Sequence, residues 1–462
     1  MRFLKITEAW NNKVFEKVPT HNAKQINKIL EDGKCHAKKK SSNFPLSERI
    51  QILKKFIELI KKNKDFLAKQ ASKEGGKPLL DSIIEINRGT DGVESCIEIL
   101  KTHSGDVIPM NIDKASSNRI AFTQKEPIGL VLAISAFNHP FNLIIHQIIP
   151  AIAVGCPVIV KPAEDTPLSC LSIIKMLNES GIPKKWCQFI MPESLELATK
   201  LVEDTRIDFF SFIGSSKVGW YLKTKLAPGV RCSLEHGGMA PVFIENDAEI
   251  DPTISSITRG GYYHAGQVCV SVQRIFVHKK IHRLFTEKLK VSVENIIVGN
   301  PLKKKTFVGP LIRPKEVDRV ERWINESSRN GADIITGGKR LSKTCYKPTI
   351  ISNPENSDKI SQMEIFGPVV CIYKYENIKH AIKLANNVNA SFQASIFSNK
   401  INTILNFYNS INASAVFHND HTAFRVDWMP FAGLKNSGYG VGGIKYTMNE
   451  MQINKMLILR KD

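Results

Sequence analysis

The sequence has no Cys-x-x-Cys pair and no Cys/His cluster, although nine cysteines run from Cys35 to Cys371. An odd count without pairing motifs argues against a disulfide framework and against a structural zinc site, and it points to a reducing compartment. The opening Met1-Arg2-Phe3-Leu4-Lys5 lacks the apolar run of a secretory leader. The uncharged stretch Ile128 to Phe137 is too short to cross a bilayer as a helix. No internal repeat or low-complexity linker breaks the chain. A cytoplasmic protein is expected, with no membrane contact and no bound metal.

Acidic residues are comparatively scarce: 44 Asp+Glu face 64 Lys+Arg, a formal charge of +20. Such a field attracts anionic ligands. The lysines are nevertheless dispersed, with only short clusters such as Lys38-Lys39-Lys40 and Lys303-Lys304-Lys305. No aromatic residues interleave with them in the manner that stacks bases, so no nucleic-acid partner is expected. The 42% hydrophobic and 23% charged content is that of an ordinary globular protein.

At 462 residues the chain exceeds one hydrophobic core, and two or three domains are expected. The first hundred residues read as mostly helical, with Ile50, Leu53, Phe56, Ile57 and Ile60 at helical spacing. From Gly129 the pattern alternates. Strands are expected at Gly129–Phe137, Pro157–Val160, Trp186–Met191 and Ile207–Ile213. Helices are expected at Leu143–Val154, at Leu195–Val202, and from Pro167 to Leu177 with Thr166 as N-cap. Alternation of this kind implies a parallel sheet covered on both faces. A second alternating section runs from Pro241 to about residue 430, with strands at Arg274–Val277, Ser395–Phe397 and Ala415–Phe417. The C-terminal Met456-Leu457-Ile458-Leu459 reads as a strand able to pair with another subunit.

Several residues could carry chemistry, each with a plainer reading beside it. Gly214 and Ser215 open Gly214-Ser215-Ser216-Lys217-Val218-Gly219 after an apolar strand, where backbone N–H groups can approach a phosphate; the segment is equally an ordinary strand–helix turn. Lys161 and Glu164 follow a strand end, where open α/β sheets bind ligands; they are equally a solvated pair. Cys269, in Gly266-Gln267-Val268-Cys269, is a nucleophile only with an activating environment and a base. Glu235, in Leu234-Glu235-His236-Gly237-Gly238, is a candidate base. Asn138, in Phe137-Asn138-His139-Pro140, could hold an oxyanion or simply make a turn.

Their joint order is more specific. Strand-Asn-x-Pro, Lys-Pro-x-Glu, Gly-Ser-x-x-x-Gly, Glu-x-Gly-Gly, Gly-Gln-x-Cys, Glu364-Ile365-Phe366-Gly367-Pro368 and Pro430-Phe431-Ala432-Gly433-Leu434-Lys435-Asn436-Ser437-Gly438 follow one another in a single chain. In this it resembles the aldehyde dehydrogenase family across essentially all 462 residues.

The resemblance implies an α/β fold of three parts: a Rossmann-type cofactor domain (1–106 and 126–236), an α/β catalytic domain (237–440) and a small β oligomerisation arm (107–125 and 441–462). It implies NAD(P)-dependent oxidation of an aldehyde to the acid through a thiohemiacetal and thioester on Cys269. Asn138 and the Cys269 N–H would hold the oxyanion, and Glu235 would activate the hydrolytic water. Lys161 and Glu164 would take the adenosine ribose, Gly214 and Ser215 the pyrophosphate, and Glu364 and Phe366 the nicotinamide ribose and ring. NAD is expected over NADP, because Glu164 would repel a 2′-phosphate. A homodimer or homotetramer is expected.

The chain departs from the family pattern at Val441-Gly442-Gly443, where many members have Arg-Glu, at His236 and Met239, and at Lys185, where Gly is usual near the cofactor face. The segment Phe424–Phe431 is similar to members acting on short polar or anionic aldehydes, such as lactaldehyde. Arg425 is the candidate anchor for an anionic group, with His139 and His146 as further lining residues; a structural salt bridge is the other reading of Arg425. Two alternatives remain open at this level: a coenzyme A-acylating dehydrogenase, and a non-catalytic structural or nucleic-acid-binding protein on the same fold. The retained Glu235 argues against the first, and the presence of Asn138, Glu235 and Cys269 together argues against the second.

Overall fold

The computed structural model describes residues 2–38, 44–102 and 104–461. Lys39 and Lys40 of the first basic cluster lie outside these residues. The fold is α/β, built around two main sheets. The first runs in the order Gly438–Tyr439, Arg231–Glu235, Phe209–Ile213, Val131–Ile134, Val158–Lys161, Cys187–Phe189. All its strands are parallel except the edge strand Gly438–Tyr439, which is antiparallel to Arg231–Glu235.

Alternation along these strands divides the side chains between two cores, as the two-residue period of a strand requires. Val131, Ala133, Val158, Val160 and Phe209 pack beneath the helices Leu46–Gly75, Leu79–Thr102, Asn142–Val154 and Pro167–Glu179. Leu132, Ile134, Ile159, Phe210 and Phe212 face the opposite layer, which includes Ala23–Lys38, Leu195–Val202 and Ser216–Lys223. Burial on both faces explains why the central strands carry almost no polar residue.

The second sheet has the order Asp333–Thr336, Thr349–Ser352, Val369–Tyr375, Val272–His278, Ala240–Ile244, Gln393–Phe397, Ala415–His418. Only Asp333–Thr336 is antiparallel to its neighbour. A third, small sheet joins Gln452–Arg460 to Arg119–Pro127 and Val107–Ile108.

Four expectations need correction. The first twenty residues form the antiparallel hairpin Phe3–Thr7 and Val14–Pro19 ahead of the helices. The C-terminal strand is longer than expected, pairing from Gln452 with Pro127 to Arg460 with Arg119. The arm is narrower than 441–462, because Ile444, Met448 and Met451 are buried in the first core. Finally, Thr166 occupies the N-cap of Pro167–Glu179 but makes no capping hydrogen bond. Glu74 does that work from another helix, accepting from the N–H of Leu168 at 2.8 Å and of Ser169 at 2.9 Å.

Candidate active site

The parallel strands of the first sheet end on one crevice, and the strand order reverses between Val131–Ile134 and Phe209–Ile213, the place where open α/β sheets bind ligands. Past Ile134 the chain reaches Asn138 and His139. Lys161 ends its own strand and leads to Glu164, Ile213 leads to Gly214 and Ser215, and Glu235 is the last residue of its strand. The second sheet meets this crevice with its N-terminal ends: Cys269 precedes Val272–His278, and Glu364 and Phe366 precede Val369–Tyr375. The loop after Ala415–His418 adds Arg425. One cavity of about 500 Å³ is lined by Asn138, His139, His146, Lys161, Glu164, Gly214, Ser215, Glu235, Cys269, Glu364, Phe366 and Arg425, with Arg88 beside them.

The Cys269 segment is held by a strained turn. His264 and Ala265 have φ of 50° and 56°, and Gly266 follows at 69°. Only glycine fits the last of these positions, since a Cβ there would overlap the Gly367 carbonyl. Gln267 then pins the loop: its Oε1 accepts from the Ile312 N–H at 3.0 Å, and its Nε2 donates to the carbonyls of Pro310 and His264. Asn138 Nδ2 donates to the Gln267 carbonyl at 2.9 Å, which ties Asn138 to the loop that carries Cys269. The Cys269 carbonyl accepts from the Gly238 N–H at 2.9 Å.

Burial pushes the Cys269 thiol up to about 12, opposed by the Arg425 guanidinium and reinforced by Glu364 and Glu235. Burial also raises the Glu235 carboxyl, against the pull of Arg425 and His146. Burial thus holds both the Cys269 thiol and the Glu235 carboxyl towards their protonated forms, with Arg425 pulling the other way on each.

A dinucleotide fits the other half of the crevice. The Glu364 carboxyl is pushed by burial up to about 8, and its Oε1 has no partner among the described residues. It stands where a Cβ on Gly237 would overlap it. An orphaned buried acceptor of this kind suits a ribose hydroxyl. Lys161 Nζ lies 3.4 Å from Oε1 of the half-exposed Glu164. Gly214 accepts through its carbonyl from His236 Nδ1 at 2.9 Å, and Gly219 leaves room for that imidazole. This gives His236, a departure from the family pattern, a use in fixing the Gly214 loop. Lys185 differs from expectation: it lies before the start of Cys187–Phe189, at the sheet end away from the crevice. There it adopts φ 67° and pairs with Asp32 at 2.8 Å.

Sequence reasoning missed a set of charged residues beneath the cavity. Asp427 joins Arg88 at 2.7 Å, His146 Nε2 at 2.8 Å and, more distantly, Arg425 Nε at 3.9 Å. Burial alone would raise the Asp427 carboxyl, but His146, Arg88 and Arg425 hold it well below the usual range. The Arg425 guanidinium also lies 3.5 Å from the Phe431 ring centre, and its Nε has no hydrogen-bond partner among the described residues. Further along, Glu85 Oε1 accepts from the N–H groups of Phe141 and Asn142, each at 2.9 Å, while its Oε2 meets Lys77 Nζ at 2.5 Å. Asp81 pairs with Arg259 at 2.5 Å. Asp81, Glu85 and Arg88 fall on one face of Leu79–Thr102, spacing that ordinarily marks a solvated helix face.

The family model for the "Aldehyde dehydrogenase family" matches residues 2–457. The chain belongs to the aldehyde dehydrogenase family. As a member it is an NAD(P)-dependent aldehyde dehydrogenase. The 3-sulfolactaldehyde dehydrogenase of Priestia aryabhattai is 36% identical over 94% of this chain and 90% of its own length. The lactaldehyde dehydrogenase of Methanocaldococcus jannaschii is 32% identical over 99% and 97%. Aldehyde dehydrogenase 21 of Physcomitrella patens, solved with the reaction product succinate, superposes with a TM-score of 0.96 at 32% identity, covering 99% of this chain and 95% of that one. Glyceraldehyde-3-phosphate dehydrogenase GapN of Methanocaldococcus jannaschii, solved with NADP, gives a TM-score of 0.94 at 31% identity, over 99% of each.

Proposed function

We propose that this dehydrogenase oxidises a small aldehyde carrying an anionic group, with Cys269 as nucleophile and Arg425 as anchor. The observation that carries this reading is Arg425 itself, a buried guanidinium with an unpartnered Nε in the cavity that holds Cys269 and Glu235. Cys269 gives up its thiol proton to water as Sγ adds to the aldehyde carbon, and the oxyanion of the thiohemiacetal is met by the Asn138 amide and the Cys269 N–H. NAD(P), when bound against Lys161, Glu164, Gly214, Ser215, Glu364 and Phe366, supplies the hydride acceptor. Glu235 takes a proton from water as the oxygen attacks the acyl carbon, and Sγ leaves as the acid is released. Glu235 in the cavity favours water over coenzyme A as acyl acceptor.

Support for an anionic substrate comes also from the relatives, whose names include a sulfonated aldehyde and a phosphorylated one. The negative charge of Glu164 favours NAD over NADP. The cofactor domain is read as 1–106 and 126–236, the catalytic domain as 237–440, and the arm strands as the contact that makes a homodimer or homotetramer. Among the described residues no helix is long and apolar enough to cross a membrane, and a cytoplasmic location accords with nine unpaired thiols.

The test is reduced-nicotinamide formation with NAD or NADP against lactaldehyde, glycolaldehyde, sulfolactaldehyde, succinic semialdehyde and glyceraldehyde-3-phosphate, with Cys269→Ala alongside. The reading expects the anionic aldehydes to lead and the variant to be silent. Equal rates on neutral and anionic aldehydes would refute the anchor, and activity surviving in Cys269→Ala would refute the nucleophile.

A further inference from the structure

The Lys77 ammonium lies 2.6 Å from Nδ1 of His139 and is itself fully buried, paired with the equally buried Glu85. An ammonium has only protons to offer. The imidazole nitrogen facing it must therefore be the bare one, which places the ring proton of neutral His139 on Nε2. The surroundings keep the ring neutral: burial pushes its pKa well below the ordinary value, and the cations Lys77, Arg88 and Arg425 act in the same direction. Glu85 is occupied by Lys77 and the two backbone N–H groups, and the Tyr263 and His264 rings pack against the imidazole at centroid separations of 6.1 Å. His139 lines the catalytic cavity, and Nε2 has no hydrogen-bond partner among the described residues.

His146 forms a contrast. Its Nε2 is engaged by Asp427 and its Nδ1 faces Arg425 at 3.5 Å, so the network uses both nitrogens. Of the three cavity histidines, His236 already donates its Nδ1–H to the Gly214 carbonyl, so among the described residues His139 alone keeps a donor to spend on substrate. It follows Asn138 directly in the chain and lines the same cavity as Cys269. A neutral N–H can donate to an uncharged hydroxyl oxygen.

We propose that His139, fixed as its Nε2–H tautomer by Lys77, is a specificity-determining residue that donates to a hydroxyl on the carbon adjacent to the aldehyde, making 2-hydroxyaldehydes the preferred substrate class. This rests on the reading of the cavity as the aldehyde site. It assigns the near end of the substrate to His139 and the far, anionic end to Arg425.

The experiment compares kcat/KM for lactaldehyde with that for propionaldehyde, which differs by the hydroxyl alone, in the intact enzyme and in His139→Phe and His139→Gln. The hydroxyl preference is expected to fall about ten-fold in His139→Phe, and His139→Gln, which retains an N–H donor, is expected to recover part of it. Between pH 6 and 8 the wild-type preference stays flat, because the ring remains neutral throughout. A preference unmoved by His139→Phe, or a parallel loss on both aldehydes, overturns the proposal. Failure of the wild-type enzyme to form acid from any aldehyde would instead sink the functional reading beneath it.

Discussion

Gly442 stands flush against Glu235: a Cβ at position 442 would overlap Oε1 of that carboxylate. In this chain position 442 therefore has no space for a side chain while the Glu235 carboxylate stays where it is. Gly442→Ala has a flexible carboxylate to displace, along with a closer approach to the Phe431 carbonyl, and folding should survive. A base displaced by about 1 Å loses on the order of 100-fold in rate. The expected result is slower acid release with an undiminished burst of reduced nicotinamide, read by stopped-flow absorbance.

Removing Arg425 should separate substrates by charge. Arg425→Ala loses a charge-assisted contact worth about 1.5–3 kcal/mol, roughly 10- to 100-fold in kcat/KM for an anionic aldehyde. Neutral aldehydes should show a smaller change. A KM that stays constant for every accepted aldehyde would return Arg425 to the role of a structural partner for Asp427.

The same residue governs pH. Burial places the Glu235 carboxyl above its ordinary 4.5, and Arg425 and His146 oppose that rise. Acid release depends on the ionised form, so it climbs with pH through a midpoint above 4.5. Without the Arg425 cation the midpoint moves further up. A pH profile of kcat on a neutral aldehyde, in wild type and Arg425→Ala, measures both; a midpoint that moves down contradicts the assignment.

Glu74 links pH to stability. Its folded-state pKa is pushed by burial up to about 7, against hydrogen bonds from Ser169 and Leu168, from an ordinary 4.5. The native state therefore binds this proton more tightly than the unfolded chain does. The resulting stabilisation is full below 4.5 and is lost as pH rises to about 7. Thermal midpoints of Glu74→Gln should change less across that window than those of wild type, and identical slopes would show that Glu74 does not titrate there.

Cofactor choice is the last test. Glu164→Ser removes a carboxylate from the ribose end of the crevice, and kcat/KM with NADP relative to NAD should rise by about ten-fold. No change in the ratio would place the discrimination elsewhere.

Much of this was legible in the sequence because the signals are local. The strands Val131–Ile134 and Phe209–Ile213 announce themselves as short apolar runs, and the residues just past their ends fall where parallel sheets bind ligands. The hairpin of residues 3–19 was not legible, since two short half-exposed strands leave little periodicity. Glu74, Asp81, Glu85 and Arg88 were missed for a different reason. Charged residues at helical spacing look the same whether they face water or the buried backbone of another segment, and only the tertiary contacts decide.

The grip of Glu85 on its neighbour has one further consequence. It seizes main-chain N–H groups at Phe141 and Asn142, not the side chain at position 139. Lys77 nevertheless touches both Glu85 and His139, so a change at position 139 reaches the start of the helix Asn142–Val154 through a single buried ammonium. A new residue at 139 that alters the aldehydes accepted must also leave that ammonium a partner.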